Sequence, residues 1–171
     1  MILGMSTAAF TLLHVLISLA GIASGLIVMY GLLTRNPLDR WTAFFLATTA
    51  LTSLSGYLFP FTHLLPSQIV GAISLVVLAI AVIARYPKAM VGAWRRTYVI
   101  TASIALYLNV FVLVVQSFEK VPALKALAPT QKEPPFLVAQ LLVMAIFIAL
   151  TILATRRFHA EPALVKFARA A

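Results

Sequence analysis

The sequence contains no cysteine and only four acidic residues. The missing thiols exclude disulfides, iron–sulfur clusters, thiolate metal sites and cysteine nucleophiles from the chemistry of the chain itself. Charged residues make up 10% of the chain, whereas hydrophobic residues make up 63%, and the mean hydropathy is +1.05. A water-soluble chain of 171 residues cannot hide that much apolar surface, but in a bilayer the solvent is itself apolar. The composition therefore predicts an integral membrane protein.

Five long apolar runs alternate with short polar segments that carry Pro, Arg or Lys. The runs are continuous and lack strand-like alternation, so they predict helices long enough to cross a bilayer. They cover about residues 8–33, 41–59, 67–84, 97–118 and 136–155. We therefore predict an all-α, polytopic transmembrane helix bundle of five spans in a single domain, residues 1–171. The proline-rich segment 119–135 is predicted to form an ordered or semi-extended cap. Residues 156–171 are predicted to be a basic cytoplasmic tail, in which 159–171 form a short amphipathic helix on the membrane surface.

The first run has a second interpretation, because a secretory signal peptide also begins with an apolar stretch. No Lys or Arg precedes the run, and it is longer than a typical signal core, so a membrane span is favoured.

The Lys and Arg residues predict the orientation, since cytoplasmic loops are enriched in them. If all five runs span, one side holds Arg35, Arg40, Arg85, Lys88, Arg95, Arg96, Arg156, Arg157, Lys166 and Arg169, and the other holds Lys120, Lys125 and Lys132. This places the N-terminus outside and the C-terminus in the cytoplasm. The formal net charge of +9 then indicates membrane topology and attraction to anionic lipid, not binding of nucleic acid.

Several polar residues within the runs are predicted to lie at similar depth below the outer surface. At 1.5 Å rise per residue this layer lies about 5 to 10 Å below the boundary. Its members are His14, Tyr57, Asn109, Gln116 and Gln140, with Gln68 at the head of the third helix. We predict that they line an outward-facing pocket for a small hydrophobic or lipid-like ligand. The alternative is that these groups bond to one another and hold helices together.

Small residues mark one face of the first helix, where Gly21 and Gly25 form a GxxxG pair. Such a pair permits close helix packing within a chain, but it is also typical of a homodimer seam or a contact with a membrane partner. The second helix carries its own ridge of Thr, Ser and Gly between Thr48 and Gly56, which is predicted to face the first helix. An accessory or assembly subunit without catalytic activity is therefore an alternative function.

Other chemistries have weaker support in the sequence. A b-type haem needs two imidazoles, for which His14 and His63 are the candidates, and a zinc site lacks a convincing third ligand. No Asp, Glu, Lys or Arg lies well inside a predicted span, which disfavours ion-coupled transport. A Ser–His–carboxylate grouping at recognisable spacing is also missing. We therefore predict no cofactor, and nothing in the sequence marks an enzyme.

The fourth run and the segment after it resemble small uncharacterised membrane proteins of proteobacteria. The similar segments are residues 105–116, 121–124 and 128–136, and the resemblance extends over nearly the whole chain. It implies a bacterial inner membrane, but it implies no activity, cofactor or catalytic residue.

Overall fold

A computed structural model describes residues 2–60 and 66–158 of the chain. These residues fold into helices, with no strand beyond an isolated bridge between Ile2 and Met5. The helices are α1 (Thr7–Leu33), α2 (Asp39–Gly56), α3 (Pro66–Arg85), α4 (Ala93–Lys120), α5 (Pro122–Leu127) and α6 (Pro134–Arg157). The predicted all-α class is confirmed. The link 61–65 with His63, and the tail from His159 with Lys166 and Arg169, lie outside the described residues.

Four of the described helices, α1, α3, α4 and α6, are long and apolar enough to cross a membrane. This confirms a membrane protein built as a bundle of transmembrane helices. The fifth long helix, α2, is less apolar, because Asp39 and Arg40 occupy its first turn and hydroxyl residues occupy much of its second half.

Helix α2 packs antiparallel along almost the whole length of α1. His14 contacts Ser55 near one end of the pair, and Gly31 contacts Leu38 at the other. Between them, a Cβ placed on Gly21 would meet the hydroxyls of Thr48 and Thr49 at 3.4 Å. The ridge of small and hydroxyl residues on α2 therefore faces α1, as the sequence predicts.

The glycine pair of α1 is buried within the chain. Gly21 faces α2 and Asn109 of α4, and Gly25 faces Phe45 of α2 and Leu106 of α4. The close approach of the three helices uses this face, which supports the interpretation of the pair as internal packing. A homodimer or partner contact through Gly21 and Gly25 stays a prediction, and it would require this packed face to open.

The turn between α1 and α2 is fixed by backbone bonds. Thr34 is the C-cap of α1, Arg35 follows with φ 63°, and the Asn36 N–H donates to the Gly31 carbonyl at 2.8 Å. This is the pattern of a Schellman motif, in which a left-handed residue lets the chain reverse and satisfy a terminal carbonyl. The reversal brings α2 back against α1.

Two arginines tie together the connections at this end of the bundle. Arg85, at the end of α3, pairs with Asp39, donates to the Pro37 carbonyl at 3.3 Å and lies 5.0 Å from the Tyr98 ring centroid. Arg95, in the first turn of α4, donates to the carbonyl of Phe158 just after α6. Each of the five long helices has one end that is rich in Arg and Lys, and these five ends are thus held side by side.

Some boundaries differ from the sequence-based ranges. Helix α4 begins at Ala93, four residues before the predicted start, because Arg95 and Arg96 are unfavourable in lipid but favourable in a helix. The segment 119–135 contains the six-residue helix α5, which begins with Pro122 at its first position.

The remaining part of that segment packs back on the bundle. The Gln131 side chain donates to the Val115 carbonyl of α4 at 3.1 Å, and the helices on either side of the segment meet through the rings of Phe118 in α4 and Phe136 in α6, edge to face at 5.4 Å. The segment is therefore an ordered cap over the ends of α4 and α6.

Candidate functional site

The five residues predicted to line a pocket do not bond to one another in the described structure. Each has its own surroundings, on a different helix pair or on the exterior. Their placement separates residues that join helices from residues that keep free hydrogen-bonding capacity. Their role in binding a ligand stays a prediction.

His14, on α1, is half-buried against the end of α2. Its Nδ1 is 2.7 Å from the Ser55 hydroxyl oxygen, and the Ser55 hydroxyl is also 3.1 Å from the Thr52 carbonyl. The imidazole meets the Phe59 ring edge to face at 5.4 Å, and Phe59 in turn meets Phe10 at 5.1 Å. Nδ1 is therefore occupied, while Nε2 has no hydrogen-bond partner among the described residues.

Tyr57 joins α2 to α3. Its hydroxyl donates to the Gln68 carbonyl at 2.6 Å, and its ring lies 3.5 Å from the position of a Cβ on Gly71. The sequence predicts Tyr57 and Gln68 at one depth, and the structure joins them. The bond uses the backbone carbonyl of Gln68, and it pairs α2 with α3.

Asn109 occupies the centre of the bundle, deeper than His14. Its Nδ2 donates to the Thr49 hydroxyl at 3.1 Å, and the same atom would lie 3.6 Å from a Cβ on Gly21. Asn109 therefore bonds across the point where α1, α2 and α4 come closest. An amide bonded in this way serves helix association, for which it contributes about 1 kcal/mol or less.

The two glutamines differ from each other. Gln140 of α6 is 9% exposed, and its Nε2 donates to the Phe111 carbonyl of α4 at 3.3 Å. Its Oε1 is buried and has no partner among the described residues. Gln116 is exposed on α4. Neither of them contacts His14 in the described structure.

An open surface pocket that the sequence did not reveal lies at the end of the bundle where α1 begins and α2 ends. Its volume is about 400 Å³, and it is lined by Ile2, Leu3, Thr7, Leu58 and Pro60, of which all but Ile2 are exposed. The N-terminus folds back here through Gly4, which has φ 78°. Four of the lining residues are apolar, so a search for polar residues inside spans passes over them.

The cavity and His14 lie on one side of α1. Thr7 and His14 are seven residues apart, which is about two helical turns and about 10 Å along the axis. Phe10 and Phe59 lie between them, in contact with each other and, through Phe59, with the imidazole. We call the region from this pocket to His14 the α1–α2 mouth, although His14 and the aromatic pair are not among the residues that line the pocket.

The hydroxyl of Ser6 fixes the start of α1 beside the cavity, because it accepts the backbone N–H of Ala9 at 3.2 Å. Ser6 followed by Thr7 before a long apolar run is a recognisable helix start. This signal locates the first turn of the mouth in the sequence, although it gives no indication of a cavity.

A metal site needs several ligand side chains placed together. Within residues 2–60 and 66–158 no group of three or more His, Cys, Asp or Glu side chains is placed to hold a metal ion. The second predicted haem ligand, His63, lies outside the described residues, so the haem alternative stays a prediction.

Comparison with protein families, with curated proteins and with solved structures found no match to this chain. The function is therefore argued from the geometry of the α1–α2 mouth alone.

Proposed function

We propose that this protein binds a small hydrophobic or lipid-like molecule at the α1–α2 mouth. The observation that carries the proposal is the open pocket of about 400 Å³ at the start of α1. That volume lies within the range of small-molecule sites, which combine apolar walls with a few polar groups. Here the walls come from Ile2, Leu3, Leu58 and Pro60, and Thr7 is the polar lining residue, with His14 about two helical turns further along α1.

The contacts of the other predicted residues support this location. The polar groups of Tyr57 and Asn109 form hydrogen bonds to neighbouring helices, and the amide N–H of Gln140 donates to a carbonyl of α4. His14 keeps a ring nitrogen with no described partner and is half-buried. Gln116 and Gln140 Oε1 also lack a described partner, but they lie on α4 and α6, so we assign His14, on the helix that lines the pocket through Thr7, to the ligand.

The test uses a substitution that fills the cavity. Thr7→Trp should reduce binding of 1-oleoylglycerol to the purified protein at least tenfold, because the indole would occupy the space between α1 and Leu58. Leu12→Trp is the matched control, since Leu12 is also an exposed residue of α1 but does not line the pocket. Equal binding by the two variants would contradict the proposed location.

We also propose that α2 is a fifth span, with the N-terminus outside and the C-terminus in the cytoplasm. An 18-residue helix is about 27 Å long, close to the thickness of the hydrocarbon core. The antiparallel contacts from His14 to Gly31 give α2 the depth of α1. Hydroxyls of α2 also form hydrogen bonds inside the protein; for example, the Thr48 hydroxyl donates to the Phe44 carbonyl at 2.7 Å.

The orientation rests on the charges at the two ends. The end held by Arg85 and Arg95 carries eight of the described Lys and Arg residues, namely Arg35, Arg40, Arg85, Lys88, Arg95, Arg96, Arg156 and Arg157. The other end carries Lys120, Lys125 and Lys132. Since cytoplasmic segments are enriched in these residues, the first end faces the cytoplasm in our proposal. For the membrane we propose the bacterial inner membrane, which the resemblance implies.

Cysteine labelling in intact cells tests both statements. Single cysteines at Asn36 and Pro60 flank α2, and only a spanning α2 exposes them on opposite sides. A reagent that does not cross the membrane should label the variant at Pro60 and not that at Asn36. Labelling of both from outside would contradict the fifth span, and the reversed pattern would contradict the orientation.

A further inference from the structure

The turn between α3 and α4, residues 86–92, lies at a membrane surface, because both helices are long and apolar enough to span. Backbone hydrogen bonds fix its shape. The Lys88 N–H donates to the Ile83 carbonyl, and the Met90 N–H donates to the Ala84 carbonyl, both at 3.0 Å. The turn therefore presents its exposed side chains in a defined arrangement at the level of the lipid headgroups.

Lys88 is the exposed cation of this turn. Its Nζ lies 5.4 Å from the centroid of the Trp94 ring, at the start of α4. It has no carboxylate partner among residues 2–60 and 66–158, whereas Arg85 and Arg95 on either side bond to groups within the protein. The ring restrains the ammonium but leaves its positive charge in place. Lys88 is thus a positioned cation without a described counter-charge.

Apolar and aromatic side chains surround this cation on the exterior. Ile83, whose carbonyl accepts the Lys88 N–H, is exposed on the last turn of α3, and Val91 and Trp94 are exposed beyond it. Tryptophan is typical of the boundary between headgroups and acyl chains. A cation at this boundary next to lipid-facing apolar residues is complementary to a phosphate that carries acyl chains.

We propose that the α3–α4 turn binds the headgroup of an anionic phospholipid, with the Lys88 ammonium contacting its phosphate. A zwitterionic lipid carries its own cation beside the phosphate, so Lys88 should prefer a lipid without one. Because the Trp94 ring already restrains the ammonium, binding costs less side-chain freedom than at an unrestrained lysine. This site is separate from the pocket at the start of α1. It also goes beyond the general attraction expected from a net charge of +9, since it assigns the preference to one residue.

The test uses Trp94 as a reporter of the lipid beside it. The chain has two tryptophans, so Trp41→Phe leaves Trp94 alone. In vesicles of phosphatidylcholine and phosphatidylglycerol, either lipid is supplied with brominated chains, which quench indole fluorescence on contact. Phosphatidylglycerol should bind beside Trp94 about fivefold more strongly, the effect of one basic residue at an anionic surface. Normalising to quenching in each fully brominated lipid removes the effect of any shift of the ring.

In this background Lys88→Gln should remove the preference, and Lys88→Arg should keep it because the charge remains. Lys125→Gln is the matched control, since it removes the same charge from an exposed lysine of α5, at the other end of α4. It should keep the preference. Equal losses in Lys88→Gln and Lys125→Gln would show diffuse attraction only and overturn the site, as would equal binding of both lipids in the parent. Displacement of brominated phosphatidylglycerol by soluble glycerol phosphate would overturn the lipid as occupant in favour of a free phosphate ester.

Discussion

The glycines of α1 provide a graded test of the packing between α1, α2 and α4. A Cβ on Gly21 would meet its nearest neighbours at 3.4 to 3.6 Å, which is ordinary van der Waals contact. A Cβ on Gly25 would lie 2.5 Å from Leu106 Cδ1 and 2.8 Å from Phe45 Cε2, about 1 Å short of the usual carbon–carbon separation. The two members of one GxxxG motif should therefore respond differently to alanine.

Gly31 should be the least tolerant of the three. Its added Cβ would lie 2.6 Å from the Asn36 carbonyl oxygen, which is backbone and cannot rotate away. Relief would require moving the turn in which Asn36 N–H bonds to Gly31, at a cost of about 1 kcal/mol for that bond. Adding the cost of about 1–3 kcal/mol for overpacking, and subtracting up to about 1 kcal/mol for the higher helix propensity of alanine, gives about 1–4 kcal/mol for Gly31→Ala.

For Gly25→Ala the overpacking cost of about 1–3 kcal/mol is reduced by up to about 1 kcal/mol from the higher helix propensity of alanine. Gly21→Ala has no overpacking cost, so it should be neutral or slightly stabilising. Unfolding of the purified variants in mixed micelles, followed by helical circular dichroism, measures the free energy of each. Gly71→Ala is a control outside α1, because its Cβ would have ordinary contacts with Tyr57 at 3.5 Å. Equal stabilities of Gly21→Ala and Gly31→Ala would refute the described packing.

Three further predictions concern single contacts. Asn109→Leu and Thr49→Val should each destabilise the protein by about 1 kcal/mol, and the double variant by less than their sum, in a double-mutant cycle of unfolding; full additivity would contradict the bond. Arg85→Lys should lower the unfolding midpoint, because Nη2 bonds both Asp39 and the Pro37 carbonyl while Nη1 contacts Met90 and the guanidinium lies over the Tyr98 ring, and one ammonium group cannot keep all of these contacts; an unchanged midpoint would mean that the charge alone suffices. Although desolvation opposes it, hydrogen bonds from Thr130 and its neighbours lower the pKa of Glu133 below the ordinary value. The contribution of Glu133 to the order of this loop should therefore be full at neutral pH and be lost as the pH falls through that lowered pKa. The Thr130 amide resonance should report this loss in the wild type but not in Glu133→Gln, and a Thr130 resonance independent of pH would refute it.

The sequence predicts the helices well because apolar length determines them almost alone. Their starts are less certain, as α4 shows, since a hydropathy pattern measures compatibility with lipid and not helix formation. The arginines before Thr97 end the apolar run but continue the helix. The contact between Gly21 and the hydroxyls of α2 was also predictable, because small residues on adjacent helices joined by a short turn have few other places to pack.

The candidate site was predictable only in part, because depth along a helix is readable from sequence but rotation about its axis is not. Asn109 and Gln116 are seven residues apart on α4, yet one bonds in the centre of the bundle and the other is exposed. The cavity depends on residues such as Leu3 and Leu58, which are chemically indistinguishable from lipid-facing leucines. Only the fold-back of the N-terminus brings them together.

The position of α2 explains why its hydroxyls concentrate on the surface shared with α1 and α4. A helix with this many Thr and Ser side chains would be poorly solvated if it faced lipid on all sides. Thr48 bonds its own helix backbone, whereas Thr49 and Ser55 meet side chains of α4 and α1. Thr49 and Ser55 are thus matched by neighbouring helices and Thr48 by its own backbone, whereas the buried Thr52 hydroxyl has no partner among the described residues. The hydroxyl-rich side of α2 packs inside the bundle, while its apolar residues Leu51 and Leu54 are 52% and 54% exposed, an arrangement that suits contact with lipid on that side.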